Sequence, residues 1–267
     1  MDSGMTRSLW MMNCRLTDRT GAGYRKRAIL FDVDDTLYDQ TVPFKEAYAE
    51  FFGDNPEIPV DVIYPVTRKY SDQVYSQAMA GQITMEEMYI YRVQKAFEEF
   101  GIGITDVQAL DFQLVYADRQ RHIHMSETME KILDYCSGKA EVGIITNGPS
   151  EHQWNKVKSL RVERWIPHEN IFVSGDISAE KPDRKIFEYA ERAMGLKEAE
   201  IWFVGDSYAL DVKGAVNAGW NAVWMNRRRR KKPEDNIAEY EEVHTEQELM
   251  AVMKKILTIT IRLGGNI

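Results

Sequence analysis

Ala28-Ile29-Leu30-Phe31-Asp32-Val33-Asp34-Asp35-Thr36-Leu37 sets an apolar run directly before a cluster of aspartates and a threonine. The run does not alternate polar with apolar residues, so a strand built from it is buried on both faces, as in a parallel sheet covered by helices. Further runs of this kind are Val142 to Ile145, Ile171 to Val173, Ile201 to Val204 and Ala222 to Met225. Between the later runs lie segments of helical period: Met129 to Cys136, Lys185 to Met194 ending before Gly195, and Val212 to Ala218 ending before Gly219. The alternation predicts an α/β domain with a doubly wound parallel sheet.

The stretch between the first and second runs is too long for one crossover helix. Phe44, Ala47, Tyr48, Phe51 and Phe52 repeat on one helical face. Thr84 with Glu87 forms a capping box that opens a segment running through Phe100 and stopping at Gly101. With helical stretches from Pro65 to Met79 and after Thr105, the insertion reads as an all-α cap, a bundle of about four helices. The expected division is an α/β core over residues 27–37 and 126–267, a helical cap over 38–125, and an N-terminal extension over 1–26 that lacks periodicity and is poorly ordered.

Composition narrows the function classes. The 267 residues are 44% hydrophobic and 28% charged, which supports a folded core and gives no case for wholesale disorder. A net charge of −8 opposes non-specific attraction to nucleic acid or an anionic membrane. Cys14 and Cys136 are isolated from each other and from the histidines, so neither a disulfide framework nor a zinc site is indicated. No apolar run is long enough to span a bilayer and the first residues lack a signal-peptide stretch, which predicts a cytoplasmic protein.

In an open α/β sheet ligands bind beyond the carboxyl ends of the strands. There the sequence delivers Asp32 and Asp34, then Thr146-Asn147-Gly148, then Asp176 and Lys181-Pro182-Asp183, then Gly205-Asp206-Ser207 with Asp211. Asp32 and Asp34 are two apart, so along an extended chain their side chains point into one small volume. A cluster of such acids stays ionised together only around a cation, and hard oxygen donors without histidine or thiolate point to Mg²⁺. Lys181 and Thr146 suit a ligand with several anionic oxygens, so a phosphoryl group on Mg²⁺ satisfies the whole set.

With these motifs the sequence resembles the haloacid dehalogenase superfamily, in its phosphatase branch with a helical cap of the first type. The matching residues are Asp32-Val33-Asp34-Asp35-Thr36, Thr146, Lys181 in Lys-Pro-Asp, and Gly205-Asp206-Ser207 with Asp211, in family order over roughly residues 27–226. The resemblance implies a Rossmann-like core and an Mg²⁺-dependent phosphomonoesterase. Asp32 is then the nucleophile that forms an aspartyl-phosphate, and Asp34 the acid for the leaving oxygen and later the base for water. Mg²⁺ is held by the Asp32 carboxylate, the Asp34 backbone carbonyl and Asp206, with Asp211 as further ligand or support. Thr146 and Lys181 bind the phosphate oxygens, assisted by Asn147.

The expected partner is a small phosphorylated metabolite, with the Asp-Asp-Thr-Leu version and compact cap leaning to nucleoside 5′-monophosphates, as in bacterial pyrimidine 5′-nucleotidases. Phosphoglycolate, sugar phosphates and a β-phosphoglucomutase-like phosphomutase are the alternatives. The mutases usually carry glycine where this chain has Asp35, and Asp34 argues against the dehalogenases, which lack an acid there. A phospho-accepting signalling domain is the non-enzymatic rival, but its acidic pair and phosphorylated aspartate lie on separate strands. The run Arg227 to Lys232 reads as a solvated loop, and Tyr70, Tyr75, Tyr89 and Tyr91 read as core of the cap.

Overall fold

The computed structural model describes residues 26–53, 58–234 and 239–258. The extension read over residues 1–26 lies, save Lys26, outside the described residues, as does Cys14. Among the described residues the sheet has the strands β1 (Arg27–Phe31), β2 (Glu141–Thr146), β3 (Ile171–Val173), β4 (Glu200–Gly205), β5 (Asn221–Met225) and β6 (Glu241–Val243). Their order is β3-β2-β1-β4-β5-β6, and every pairing is parallel. Each apolar run of the sequence becomes one strand. β6 was not among them, because only Val243 of its three residues is buried and so short an edge strand carries no period.

The unbroken apolar character of β1 follows from covering on both faces. Ile29 and Phe31 pack into one cluster with Met129, Ile132 and Leu133 of α5 (Glu127–Ser137) and Leu249, Met253 and Ile256 of α10 (Glu246–Thr258). Ala28 and Leu30, pointing the other way, join Ile186, Phe187 and Ala190 of α8 (Arg184–Ala193) and Ala215 of α9 (Lys213–Asn217). Gly214 of α9 is held close to α8, since a Cβ there would lie 2.7 Å from the Phe187 ring. Cys136 sits in the first cluster as a free buried thiol, its pKa pushed up to about 12 by burial.

Between β1 and α5 the chain makes α1 (Thr41–Phe52), α2 (Val60–Met79), α3 (Met85–Glu98) and α4 (Asp106–Gln120). Thr84 and Glu87 form the capping box read from sequence, and Thr105 with Gln108 forms a second one at α4. The four helices enclose their own aromatic core, in which Phe44 meets Tyr64, Phe112 and Tyr116 edge-on at 5.1, 5.4 and 5.5 Å. Phe112 is 1% exposed at its centre. Truncating it to alanine is expected to cost about 3–5 kcal/mol, read as a lower midpoint of urea unfolding. A change below 1 kcal/mol would mean that the cap core does not depend on this ring.

Candidate active site

The carboxyl ends of β1, β2 and β4 meet where the chain switches direction across the sheet, since β1 lies between β2 and β4. Such a switch point opens a crevice. Asp32 leaves the sheet there while its N–H still donates to the Val204 carbonyl at 2.8 Å. The chain then turns, with the Leu37 N–H donating to the Val33 carbonyl at 3.0 Å, so the extended geometry assumed for Asp32 and Asp34 ends at once. Both line one cavity but take separate cations. Lys181 Nζ lies 2.6 Å from Asp32 Oδ1, whereas Lys156 Nζ lies 2.6 and 2.8 Å from the two Asp34 oxygens.

Asp35 adopts φ +54°, the left-handed region that favours glycine. Aspartate tolerates it better than most residues, and its carboxylate is anchored by the Gln40 N–H at 2.9 Å and by Arg228 at 2.9 Å. The backbone at this position is therefore the one a glycine would take. Arg227 donates to the carbonyls of Asp35 and Thr36 and pairs with Glu246 at 2.9 Å, and Arg228 also pairs with Asp39. Arg230 reaches Asp206 at 3.3 Å. The solvated-loop reading of the basic run is thus corrected for its first two residues: acids brought to β5 by tertiary folding turn Arg227 and Arg228 inward, while Arg229, Arg230, Lys231 and Lys232 are exposed, Arg230 reaching Asp206 from the solvent side.

Lys181 is the electrostatic centre. Its ammonium bridges Asp32 Oδ1 at 2.6 Å and Asp211 Oδ1 at 2.7 Å, and it is 3% exposed. Its backbone is clamped by Asn147, whose side chain accepts from the Lys181 N–H at 2.9 Å and donates to its carbonyl at 2.8 Å. Burial would lower its pKa, but Asp211 and Asp32 hold it above the usual ammonium value. Burial raises the Asp32 carboxyl to about 7, with Lys181 opposing and Asp211 and Asp34 adding repulsion. Burial and the neighbouring Asp35, Asp211 and Asp32 push the Asp206 carboxyl well above the ordinary range.

One carboxylate oxygen from each of Asp32, Asp206 and Asp211 falls within 4.8 Å of the others. Three acids against the Lys181 ammonium and the exposed Arg230 still leave excess negative charge, and an all-oxygen donor set fits a hard divalent cation. The Asp34 carboxylate is not in this group. Asp211 is held by the Ser207 N–H at 2.8 Å and packs so near Gly205 that a Cβ there would overlap its carboxylate.

Thr146 stands at the end of β2, 1% exposed, and its hydroxyl donates to Gln153 Oε1 at 3.2 Å. Gln153 in turn donates to Asp34 Oδ2 at 3.3 Å and to the Asn147 carbonyl at 3.0 Å. The Tyr38 hydroxyl donates to Asp34 Oδ1 at 2.6 Å. Burial would raise the Asp34 carboxyl, but the charge and hydrogen bonds of Lys156, with the Tyr38 hydroxyl, outweigh it and hold the group well below the carboxylate range. Gln153 and Lys156 escaped the sequence reading. They lie on α6 (Ser150–Ser159) three apart, so one helical face carries both, and only that spacing after Thr146-Asn147-Gly148 could have flagged them.

The cap closes over these groups around a cavity of about 1000 Å³. Asp32, Asp34, Asn147, Lys181, Asp206 and Asp211 all line it, whereas Thr146 does not. Tyr75 and Tyr89 line it too, so their assignment to the cap core is corrected. Tyr70 packs, half-buried, against the cap core as expected and meets Tyr91 edge-on at 5.9 Å; the centre of that core is filled by Phe44, Phe97 and Phe112.

The sequence pattern of the haloacid dehalogenase-like hydrolases matches residues 26–219. A glyceraldehyde 3-phosphate phosphatase of Methanothermobacter thermautotrophicus is 25% identical over 217 residues, spanning 79% of this chain and 90% of that protein. A pyrimidine 5′-nucleotidase of Escherichia coli is 33% identical over 104 residues, 39% of this chain and 45% of that protein. The magnesium-bound structure of the HAD-hydrolase YfnB from Bacillus subtilis superposes with a TM-score of 0.64 at 22% identity, covering 88% of this chain and all of that one. No helix of the described residues is long and apolar enough to cross a membrane.

Lys156 and Asp34 allow a direct test. Removing one partner of a fully buried ion pair costs about 3–5 kcal/mol. The Asp34 side chain is 24% exposed, so Lys156→Met is expected to cost about 2 kcal/mol at pH 7. Because the folded-state pKa of Asp34 is depressed, the pair stabilises above the ordinary value of 3.8 and its contribution is lost as the pH falls below it. The gap between variant and wild type in urea unfolding should therefore narrow in acid; a gap independent of pH contradicts the pairing.

Proposed function

This chain belongs to the haloacid dehalogenase-like hydrolases, and from that membership we propose that it is a Mg²⁺-dependent phosphomonoesterase acting on a small phosphorylated metabolite through an aspartyl-phosphate. The observation that carries the reading is the cluster of buried Asp32 and Asp211, bridged by Lys181, with half-buried Asp206 beside them, set at the sheet's switch point under a capped cavity.

Asp32 Oδ attacks phosphorus in line, forming the carboxyl–phosphate bond as the bond to the alcohol oxygen breaks. Lys181 and Asn147 bind the phosphate oxygens that do not leave, with Thr146 joining them once its hydroxyl turns from Gln153. Fixed donors of this kind act on charge that develops during transfer and need no reorganisation. Asp34 gives a proton to the departing alkoxide and then takes one from the water that attacks the phosphoryl-aspartate. Held ionised by Lys156 and Tyr38, Asp34 is ready for the second of these duties, and for the first it takes up a proton as substrate binds. The phosphate monoester, with a second pKa of about 6, is a proton source for that step. Asp32, Asp206, the Asp34 carbonyl and Asp211 would hold Mg²⁺, which would supply charge neutralisation between the nucleophile and the incoming phosphate.

The narrower substrate reading is a nucleoside 5′-monophosphate, supported by the similarity to the E. coli pyrimidine 5′-nucleotidase over its shorter match. A phosphorylated sugar or triose is supported by the longer match to the glyceraldehyde 3-phosphate phosphatase. A phosphomutase is the alternative reaction: Asp35, with φ +54°, keeps the backbone that a glycine would take at this position.

Phosphate release with Mg²⁺ over nucleoside monophosphates, sugar phosphates, phosphoglycolate and p-nitrophenyl phosphate tests the reading. Asp32→Asn is expected to abolish turnover with an unchanged circular dichroism spectrum; normal activity in that variant removes the nucleophile assignment. Asp34→Ala should slow hydrolysis of an alkyl phosphate at least 10-fold more than that of the aryl phosphate, whose leaving group needs no proton. Equal losses on both would count against the acid role, and isomer formation without phosphate release would favour the mutase.

A further inference from the structure

Arg92 of α3 is a buried cation without a carboxylate partner. It is 8% exposed, and among the described residues no carboxylate oxygen lies within 4.0 Å of it. Its guanidinium donates to Gln113 Oε1 and, at 3.5 Å, to Ser71 Oγ, both neutral and buried, while Nε has no hydrogen-bond partner. The rings of Tyr89 and Tyr116 lie 5.0 and 5.8 Å from it. Aromatic faces and amide oxygens attract a cation, but they carry no charge to neutralise it. Burial and the nearby Arg68 accordingly lower the Arg92 pKa.

The same residue lines the cavity that holds Asp32, Lys181 and Asp206. A guanidinium has five N–H donors in one plane. Two bonds are made here, which leaves donors for a planar anion. Val93, Ala96 and Phe97, the neighbours of Arg92 on α3, belong to the apolar cap core, so a leucine or methionine would have filled this position without the cost of burying a charge.

We propose that Arg92 is a second anion subsite, and that the substrate is a phosphate monoester whose alcohol portion carries a carboxylate. The inference rests on the phosphomonoesterase reading and names its substrate class. The phosphoryl group occupies the cluster at Lys181, and the carboxylate of the same molecule takes the fork of Arg92 in the cap. Gln113 and Ser71 hold the guanidinium in place, and the tyrosine rings restrict approach to its edge. A nucleoside monophosphate, whose only anion is its phosphate, leaves Arg92 uncompensated.

Matched esters differing only in a carboxylate test this. The pairs are phosphoglycolate with ethylene glycol phosphate, 3-phosphoglycerate with glycerol 3-phosphate, and 6-phosphogluconate with glucitol 6-phosphate, which span a range of lengths. In at least one pair the acid is expected to show a kcat/KM at least 10-fold above its neutral partner. In Arg92→Gln that ratio should fall to near one, and Arg92→Lys, which keeps the charge but loses the fork, should retain part of it. Binding of the same pairs to Asp32→Asn, followed by calorimetry, is expected to show the same preference without turnover, and to lose it on adding Arg92→Gln.

Hydrolysis of p-nitrophenyl phosphate with ratios near one in all three pairs overturns the subsite and leaves the phosphatase standing. Failure on p-nitrophenyl phosphate and on every ester overturns the phosphatase reading, and the calorimetric comparison then decides the subsite alone: equal binding within every pair removes it. If Arg92→Gln does not fold, the wild-type ratios and Arg92→Lys carry the same decision.

Discussion

Like charges crowded into a buried site repel with a strength that grows as water is excluded, and this repulsion organises the molecule. Asp32, Asp206 and Asp211 come from the ends of β1 and β4 and from the turn after β4, and Lys181 lies between two of them at 2.6 and 2.7 Å. This ammonium, with the exposed Arg230 at Asp206, does not neutralise three carboxylates. The residual negative charge is what suits the cluster to a divalent cation. The surroundings hold the arrangement against its own repulsion, through Asn147 on the Lys181 backbone, the Ser207 N–H on Asp211, and the missing Cβ at Gly205, which lets Asp211 pack closely there.

A second ion pair stands beside the first and keeps its charges distinct. Lys156 and Tyr38 hold the Asp34 carboxylate away from the acidic cluster, and Gln153 links it to Thr146 and Asn147. Two aspartates separated by one residue thereby meet opposite environments: burial and like charge push Asp32 up, while a dedicated ammonium pulls Asp34 down. Environments that drive two carboxyls apart suit them to different tasks, and this contrast is what supports the separate roles proposed for Asp32 and Asp34.

The helical cap contributes in a different way. Its own aromatic core lets it pack as a bundle, and the face turned to the sheet is built from polar and aromatic groups around the cavity. Arg228 of the strap after β5 pairs with Asp35 and Asp39, so the turn that bears Asp34 is tied to the far side of the sheet just where the chain departs for the cap.

The sheet was legible in the sequence because strands buried on both faces must be continuously apolar, and the helices because caps and one-sided periodicity are local properties: Thr84 with Glu87 could be read without knowing what α3 packs against. The acids Asp32, Asp206 and Asp211 were legible for the same reason, since each follows a strand and strand ends converge. What the tertiary structure alone decided were pairings across long sequence separation. Lys156 meets Asp34 across 122 residues, and Arg228 meets Asp35 across 193, so the basic run looked solvated until folding brought acids to it. The direction of Thr146, turned to Gln153, and the lining of the cavity by Tyr75 and Tyr89 depend on which face of a helix meets which neighbour. Periodicity reports that a face is apolar; it does not say whether an aromatic ring near the edge of that face closes a core or borders a ligand.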